Sequence, residues 1–128
     1  MENARIGIIE DSNPDFDAAK EHLEASGHLV VARACNDIEA RDLIDEIHRN
    51  PDLLNVLLVD GNLRRGEDSG RSAREVLDRV DELGLSTFLI AHSSGSFQAY
   101  GLDDRVHGHV NKGRMTYFQQ LSKSISDL

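Results

Sequence analysis

Three carboxylates stand at the ends of two short apolar runs, and this arrangement limits the possible folds more than any other feature of the sequence. Glu10 and Asp11 follow the run 5–9 (RIGII), and Asp60 follows the run 56–59 (VLLV). Short, continuous runs of branched apolar residues are typical of strands buried on both faces of a parallel sheet. Because parallel strands end along one edge of a sheet, we expect the three acids to lie together there. A bound divalent cation, or a raised pKa on one acid, would relieve their repulsion, which indicates a functional site.

Length and composition predict one globular domain that binds neither nucleic acid nor anionic membranes. A chain of 128 residues can bury roughly two thirds of its unfolded surface, and 39% hydrophobic residues with 29% charged residues suit a globular fold. Fourteen basic residues stand against 23 acidic ones, and a net charge of −9 argues against direct binding to nucleic acid or to anionic membranes. The N-terminal residues lack the pattern of a signal peptide, and no apolar run approaches the roughly 20 residues of a membrane span. The single cysteine, Cys35, excludes an intramolecular disulfide and predicts a cytoplasmic location.

Strand-like runs alternate with helix-like patterns along the whole chain. The predicted strands cover 5–9, 28–34, 54–60, 87–91 and 106–110. Between the fourth and fifth strands, residues 93–105 hold few apolar residues and allow at most a short helix. Strands separated by helices imply right-handed crossovers, so the sequence predicts an α/β fold with a parallel sheet and helices on both of its faces.

The helices are predicted from capping residues and from apolar spacing. Asn13, followed by Pro14, is expected to cap the first helix, and Asp37 the second. The last helix is predicted to bury Tyr117, Phe118, Leu121 and Ile125.

Further polar residues follow the ends of the predicted strands. Asn62 lies two residues after Asp60, Ser93 lies just past the fourth strand, and Lys112 ends the segment HGHVNK of the fifth. Taken in order with the acidic pair, these residues resemble the site of the receiver domains of two-component response regulators, over nearly the whole chain. The resemblance implies a flavodoxin-like (βα)₅ three-layer sandwich. Its parallel five-stranded sheet would have the order 2-1-3-4-5, with a short or irregular fourth helix in this chain.

The resemblance also implies a metal site. Asp11 and Asp60 would bind the ion directly, the backbone carbonyl of Asn62 would be a third protein ligand, and Glu10 would act mainly through metal-bound water. A set of oxygen ligands completed by water and phosphate suits Mg²⁺ or Mn²⁺.

The phosphoryl chemistry implied by the resemblance involves one nucleophile and two residues that contact the phosphate. Asp60 would be the nucleophile that takes a phosphoryl group from a partner's phosphohistidine. Lys112 would pair with one phosphate oxygen as a point charge, and the Ser93 hydroxyl would donate to another. His92, the neighbour of Ser93, is the alternative candidate for that last position.

Each acid also has a simpler structural interpretation. Glu10 and Asp11 could interact only with the N-terminus of the helix that begins near Pro14, where the helix dipole favours acids. Asp60, which precedes Gly61, could be an ordinary turn aspartate.

The sequence departs from the family near the surface that receivers use for output. His109 stands where the family usually has Tyr or Phe, and Gly113 follows Lys112 where a cis-proline is usual. The short stretch between Ser93 and Lys112 leaves little room for a regular helix. These departures put conventional signalling through that surface in question.

The function predicted from the sequence is that of a single receiver domain over residues 1–128, without a DNA-binding output domain. A histidine kinase or histidine phosphotransfer protein would phosphorylate Asp60, and the phosphorylated domain would bind a downstream protein. It would be no enzyme beyond its own Mg²⁺-dependent phosphorylation and dephosphorylation. Two alternatives remain: a pseudo-receiver that binds partners independently of phosphorylation, and a small metal-dependent phosphatase. The phosphatase would need a second acid two residues after its nucleophile, where this chain has Asn62.

Overall fold

Five strands and four α-helices alternate along the described residues, which in this computed structural model are 1–61, 71–93, 101–112 and 116–128. In chain order the elements are β1 (Arg5–Ile9), α1 (Asn13–Ala25), β2 (Leu29–Ala34), α2 (Asp37–Arg49), β3 (Val56–Val59), α3 (Arg71–Leu83), β4 (Phe88–Ser93), a 3₁₀ turn (Asp103–Arg105), β5 (Gly108–Asn111) and α4 (Tyr117–Ser126). Within these residues, no helix combines the length and the apolar character required to cross a bilayer.

The strands form one parallel sheet in the order β2-β1-β3-β4-β5, as the sequence predicts. At the centre of the sheet, β1 pairs with β3 in a register that sets Ile9 beside Val59. The backbone amide of Asp60 then donates to the Ile9 carbonyl at 3.2 Å. Glu10 and Asp60 therefore leave the sheet side by side.

Two apolar layers, one on each face of the sheet, complete a flavodoxin-like three-layer sandwich. One layer joins the sheet to α2 and α3 and includes Leu57 and Val59 of β3. The other joins it to α1 and α4 and includes Val56 and Leu58. This alternation along β3 is the period of two that a strand imposes on its side chains.

The caps of the first two helices differ from the prediction by one residue. Ser12, not Asn13, caps α1, and its hydroxyl accepts from the Asp15 amide at 3.4 Å. Asn36, not Asp37, caps α2 and accepts from the Glu39 amide at 2.9 Å. The reason is the same in both cases, since a polar residue one position earlier has the extended backbone that a cap requires.

The boundaries of four strands also differ from the prediction. β2 begins at Leu29 rather than at residue 28, β3 covers only Val56–Val59, and β5 covers Gly108–Asn111. β4 begins at Phe88 and continues through His92 to Ser93, because the ladder with β5 extends to the end of both strands and pairs Ser93 with Asn111.

The prediction that the last helix buries Phe118 is wrong. Leu121 and Ile125 are buried in the apolar layer beside α1, but Phe118 remains 41% exposed. Its ring lies 4.8 Å from the ring of His22 on α1. It lies in the first turn of α4, where its ring covers the neighbouring helix instead of entering the layer.

The segment between β4 and β5 contains a 3₁₀ turn in its described part. Residues 94–100, in which most of the predicted short helix falls, lie outside the described residues. The guanidinium of Arg105 at the end of the turn pairs with Asp78 at 2.9 Å and with Asp81 at 2.6 Å. These two ion pairs attach the turn to α3.

Candidate functional site

Glu10, Asp11 and Asp60 meet at the carboxyl edge of the sheet. Each of them offers a carboxylate oxygen within 4.8 Å of those of the other two. Glu10 is fully buried, Asp60 is 8% exposed, and Asp11 faces solvent. The sequence therefore located this cluster correctly, because two adjacent parallel strands, β1 and β3, end immediately before the acids.

Lys112, at the end of β5, brings a positive charge to this cluster. Its ammonium donates to the Glu10 carboxyl and lies 3.6 Å from Asp60 Oδ2. It also lies 3.3 Å from Asp15 Oδ2 on α1, and its side chain is only 16% exposed. Asp15 is a contact that the sequence did not predict, because it depends on how α1 packs beside the sheet. Lys112 therefore connects the end of β5 to β1 by a hydrogen bond, and to β3 and α1 by charge attraction.

This arrangement favours the protonated form of the Glu10 carboxyl at neutral pH. Burial, followed by the hydrogen bond and the charge of Asp60, raises the pKa of Glu10 from 4.5 to about 9, although Lys112 lowers it in part. For Lys112, burial opposes the charged form, but the charge of Asp60, the hydrogen bond with Glu10 and the charge of Asp15 prevail, and its pKa lies above the usual range. A raised pKa on one acid is one of the two ways in which the sequence predicted that the repulsion would be relieved.

The cluster is also compatible with a divalent cation. Its ligands are carboxylate oxygens, which Mg²⁺ and Mn²⁺ prefer. The second oxygen of Glu10, Oε2, is buried without a hydrogen-bond partner among the described residues. Once Glu10 is ionised, this buried oxygen can accept from a metal-bound water, which is how the resemblance assigned Glu10. The proposed carbonyl ligand, Asn62, lies outside the described residues.

His92 and Ser93 are both fully buried at the end of β4, but they face opposite sides of the sheet. In β4, Ile90 belongs to the layer beside α1 and α4, and Ala91 belongs to the layer beside α2 and α3. Strand alternation then directs His92 to the α1 and α4 side and Ser93 to the other. The pKa of His92 falls to about 4, because burial and the charge of Lys112 outweigh the opposing charge of Asp60, and the ring is neutral.

Strand alternation also separates Ser93 from the predicted phosphoryl site. The three charged residues Glu10, Asp60 and Lys112 each come directly after a strand and point to the side of the sheet that carries α1 and α4. The contacts of Lys112 with Glu10, with Asp60 and with Asp15 of α1 agree with this direction. Ser93 Oγ is buried towards the other side and has no partner among the described residues. Of the two candidates for the last phosphoryl contact, His92 is therefore the one on the same face as the acids.

Arg33 is a second basic residue near the cluster, and the sequence reasoning missed it. Its guanidinium donates to the Glu10 carbonyl at 3.3 Å and to Asn13 Oδ1 at 2.7 Å. It lies 4.3 Å from the ring centre of Phe16 on α1. The available signal was a charged residue inside the otherwise apolar run of β2.

Comparisons with known proteins identify the fold. No family model matches the sequence, and no curated protein matches it. Among solved structures, the signal receiver domain of a modulated diguanylate cyclase from Desulfovibrio desulfuricans G20 is 21% identical, with a TM-score of 0.72 over 98% of this chain and 93% of that chain. A chain in the complex of the CheA3 P1 domain with CheY6 from R. sphaeroides is 20% identical, with a TM-score of 0.72 over 100% of this chain and 98% of that chain. The isolated REC domain of RcsB from Salmonella enterica serovar Typhimurium is 17% identical, with a TM-score of 0.72 over 98% and 90%. The chain has the fold of response regulator receiver domains.

Proposed function

We propose that this chain, with its receiver-domain fold, accepts a phosphoryl group on Asp60 and signals by binding a protein in the phosphorylated state. One observation carries the proposal: Asp60 ends a central buried strand among two other acids and beside the ammonium of Lys112. A carboxylate that is held against an opposite charge and is 8% exposed can act as a nucleophile towards a phosphoryl donor that approaches the sheet edge.

The reaction requires little beyond positioning and charge neutralisation. A carboxylate oxygen of Asp60 attacks the phosphorus of a phosphohistidine, so that a P–O bond forms while the P–N bond to the donor breaks. The departing imidazole takes a proton from solvent. Lys112, whose ammonium is already 3.6 Å from Asp60, offsets the negative charge that is added to the pocket.

The acids would hold the cation that this chemistry requires. A Mg²⁺ or Mn²⁺ ion held by Asp11, Asp60, the Asn62 carbonyl and, through water, Glu10 would supply further positive charge to the phosphoryl oxygens. Glu10 would then be ionised, with its charge offset by the ion, so that Lys112 would be able to exchange its contact with Glu10 for one with the phosphoryl group.

The phosphoryl donor would be a histidine kinase or a histidine phosphotransfer protein. The neighbour from R. sphaeroides was crystallised as a complex of CheY6 with the P1 domain of CheA3, which supports a partner of this kind. The net charge of −9 favours a protein rather than nucleic acid as the direct downstream partner. The free thiol of Cys35 suits a reducing compartment, and we place the protein in the cytoplasm.

Intact-mass spectrometry after incubation with acetyl phosphate and Mg²⁺ tests the proposal. The wild type should gain the mass of one phosphoryl group, and Asp60→Asn should gain none. Asp52→Asn is a matched control, because Asp52 is an exposed aspartate at the other end of β3. It should be labelled like the wild type.

Two results would contradict the proposal. An unlabelled wild type, under conditions that label a known receiver, would favour a pseudo-receiver that binds partners without phosphorylation. A label that persists in Asp60→Asn would place the acceptor on another residue.

A further inference from the structure

Asp11 is the exposed member of the acidic cluster, so packing does not hold its carboxylate in place. It lies in the turn of residues 10–13 that joins β1 to α1, and it still offers a carboxylate oxygen within 4.8 Å of those of Glu10 and Asp60. A buried side chain keeps its position because other atoms surround it, whereas Asp11 faces solvent. The backbone of the turn must therefore place Asp11 beside the other two acids.

Arg33 of β2 holds this turn at both of its ends. Its Nη2 donates to the backbone carbonyl of Glu10 at 3.3 Å and to Asn13 Oδ1 at 2.7 Å. These acceptors belong to the residue before Asp11 and to the second residue after it, and Nη2 has one hydrogen for each of them. The Glu10 amide also donates to the Ala34 carbonyl at 2.9 Å, so β2 holds both backbone groups of Glu10.

The guanidinium of Arg33 is itself fixed in place. The sheet register pairs Arg33 with Ile8, which belongs to the apolar layer beside α1 and α4. On that side, Cζ of Arg33 lies over the ring of Phe16, 4.3 Å from its centre. A planar guanidinium that stacks on an aromatic ring loses little further freedom when it forms hydrogen bonds. Arg33 therefore connects β2, the turn and α1 in one geometry.

The charge of Arg33 and its hydrogen bonds would have opposite effects on a divalent cation at the cluster. A positive charge near Asp11 repels the cation and weakens its binding. Hydrogen bonds that orient a metal ligand strengthen binding, and the loss of such an outer contact typically lowers metal affinity about tenfold or more. Because Arg33 is partly exposed, water and salt screen its charge, whereas its hydrogen bonds act directly on the turn. The effect of the hydrogen bonds should be the larger one.

We propose that Arg33 is a positioning residue for the cation, because it holds the turn of residues 10–13 so that the Asp11 carboxylate is placed to bind Mg²⁺ or Mn²⁺ together with Asp60. The inference rests on the proposed function, since it requires the cation site. Arg33 touches neither the ion nor the phosphoryl group. It acts through the backbone of Glu10 and the side chain of Asn13.

Titration with Mn²⁺, with the free ion counted by electron paramagnetic resonance, separates the geometry of Arg33 from its charge. Arg33→Met removes the charge and both hydrogen bonds, and it should weaken binding about tenfold, although the loss of a positive charge alone would strengthen it. Arg33→Lys keeps the charge but lacks the planar fork, and it should weaken binding by about threefold or more.

Asn13→Ala removes one acceptor and leaves both Arg33 and the Ser12 cap in place, so it also serves if Arg33→Met fails to fold. It should weaken Mn²⁺ binding about threefold in the wild-type background, and it should cause no further loss in Arg33→Met, because the two residues act through one hydrogen bond. An Asn13→Ala variant that binds Mn²⁺ like the wild type would overturn the inference.

Arg5→Met is the matched control. Arg5 also donates to a backbone carbonyl, that of Leu53 at 3.0 Å, but it lies at the opposite end of β1. The variant loses the same charge and should bind Mn²⁺ within about twofold of the wild type, since salt screens a distant charge. At saturating Mn²⁺, acetyl phosphate should label Arg33→Met at the wild-type rate, because a positioning residue acts only through the ion.

Three results would overturn the inference and leave the proposed function intact. Tighter Mn²⁺ binding by Arg33→Met, with Arg33→Lys equal to the wild type, would show that Arg33 acts only through its charge. Wild-type affinity in both variants would remove Arg33 from the site. Slow labelling of Arg33→Met at saturating Mn²⁺ would show that Arg33 contacts the phosphoryl donor instead. A wild type that binds no Mn²⁺ would overturn the inference and the proposed cation site together.

Discussion

The buried carboxyl of Glu10 should make the cation-free protein less stable as the pH rises, and Glu10→Gln should remove this effect. In the folded state burial, followed by the hydrogen bond and charge of Asp60, raises the pKa of Glu10 to about 9. Glutamine has the shape of the protonated acid and keeps an oxygen that can accept from Lys112. The variant therefore resembles the form of Glu10 that the fold prefers, but it needs no proton.

The magnitude follows from the span between the two pKa values. The carboxyl has a pKa of 4.5 before folding and about 9 after it, so the folded state binds the extra proton between these values and its stability falls as the pH rises. Near pH 7 the span is about 2.5 pH units, and at about 1.4 kcal/mol per unit the variant should be more stable by up to about 3 kcal/mol. For a chain of this size that corresponds to a melting temperature roughly 10 °C higher. Near pH 5 the difference should fall below about 1 kcal/mol.

The other groups with shifted pKa values do not change the difference in stability between Glu10→Gln and the wild type. The pKa of His92 is lowered from 6.5 to about 4, so stability falls as the pH drops through that range, but it does so equally in both proteins. The pKa of Lys112 is raised, and its contribution is lost only above its ordinary value of 10.5. The difference between variant and wild type therefore isolates Glu10.

Urea unfolding with a chelator present, near pH 5, pH 7 and pH 8, measures this difference. Glu24→Gln is the control, since Glu24 is an exposed residue of α1, and it should show no such trend with pH. A Glu10→Gln variant less stable than the wild type near pH 7 would refute the reasoning. It would mean that Glu10 is ionised and that its ion pair with Lys112 stabilises the fold.

Two further predictions concern the cation and the packing of β1. Mg²⁺ or Mn²⁺ at millimolar concentration should raise the melting temperature of the wild type but not of Asp11→Ala, because a ligand that binds only the folded state stabilises it. An unchanged wild-type melting curve would exclude the site. Gly7→Ala should lower the free energy of unfolding by about 1–3 kcal/mol in urea, because the added Cβ would lie 2.7 Å from Leu54 Cδ2 and 3.0 Å from Leu57 Cδ1. A variant as stable as the wild type would show that these side chains move aside freely.

The parts of the site that the sequence predicted depend on one simple rule, that parallel strands end at a common edge. To predict that Glu10 and Asp60 lie close together, it was enough to find the ends of two apolar runs. A predicted strand end that is wrong by one residue would still have placed both acids at the same edge of the sheet. Lys112 is similar, since its long side chain reaches the cluster from the end of β5. Patterns of this kind tolerate errors in element boundaries.

The choice between His92 and Ser93 could not be made from the sequence, because it depends on which residues of β4 point to which face of the sheet. The polar residues after Ala91 suggested that β4 had ended, although both side chains are buried and the ladder with β5 continues beside them. Whether a residue at a strand end faces one layer or the other changes with every position. Asp15 was missed for a related reason, since it reaches Lys112 only through the packing of a helix that no local pattern specifies.

The charges at this sheet edge support the proposal that the site binds a divalent cation. Without a cation, two components hold the acids together: the ammonium of Lys112 and the proton on Glu10. Neither of them gives Glu10 Oε2 or His92 Nδ1 a hydrogen-bond partner within the described residues. On the proposed function, a cation held by Asp11 and Asp60 would take the place of the proton on Glu10 in offsetting negative charge, and the ammonium of Lys112 would then be available to a phosphoryl group. The cation-free fold leaves Glu10 Oε2 without a hydrogen-bond partner among the described residues, and a water bound to the proposed cation would supply one.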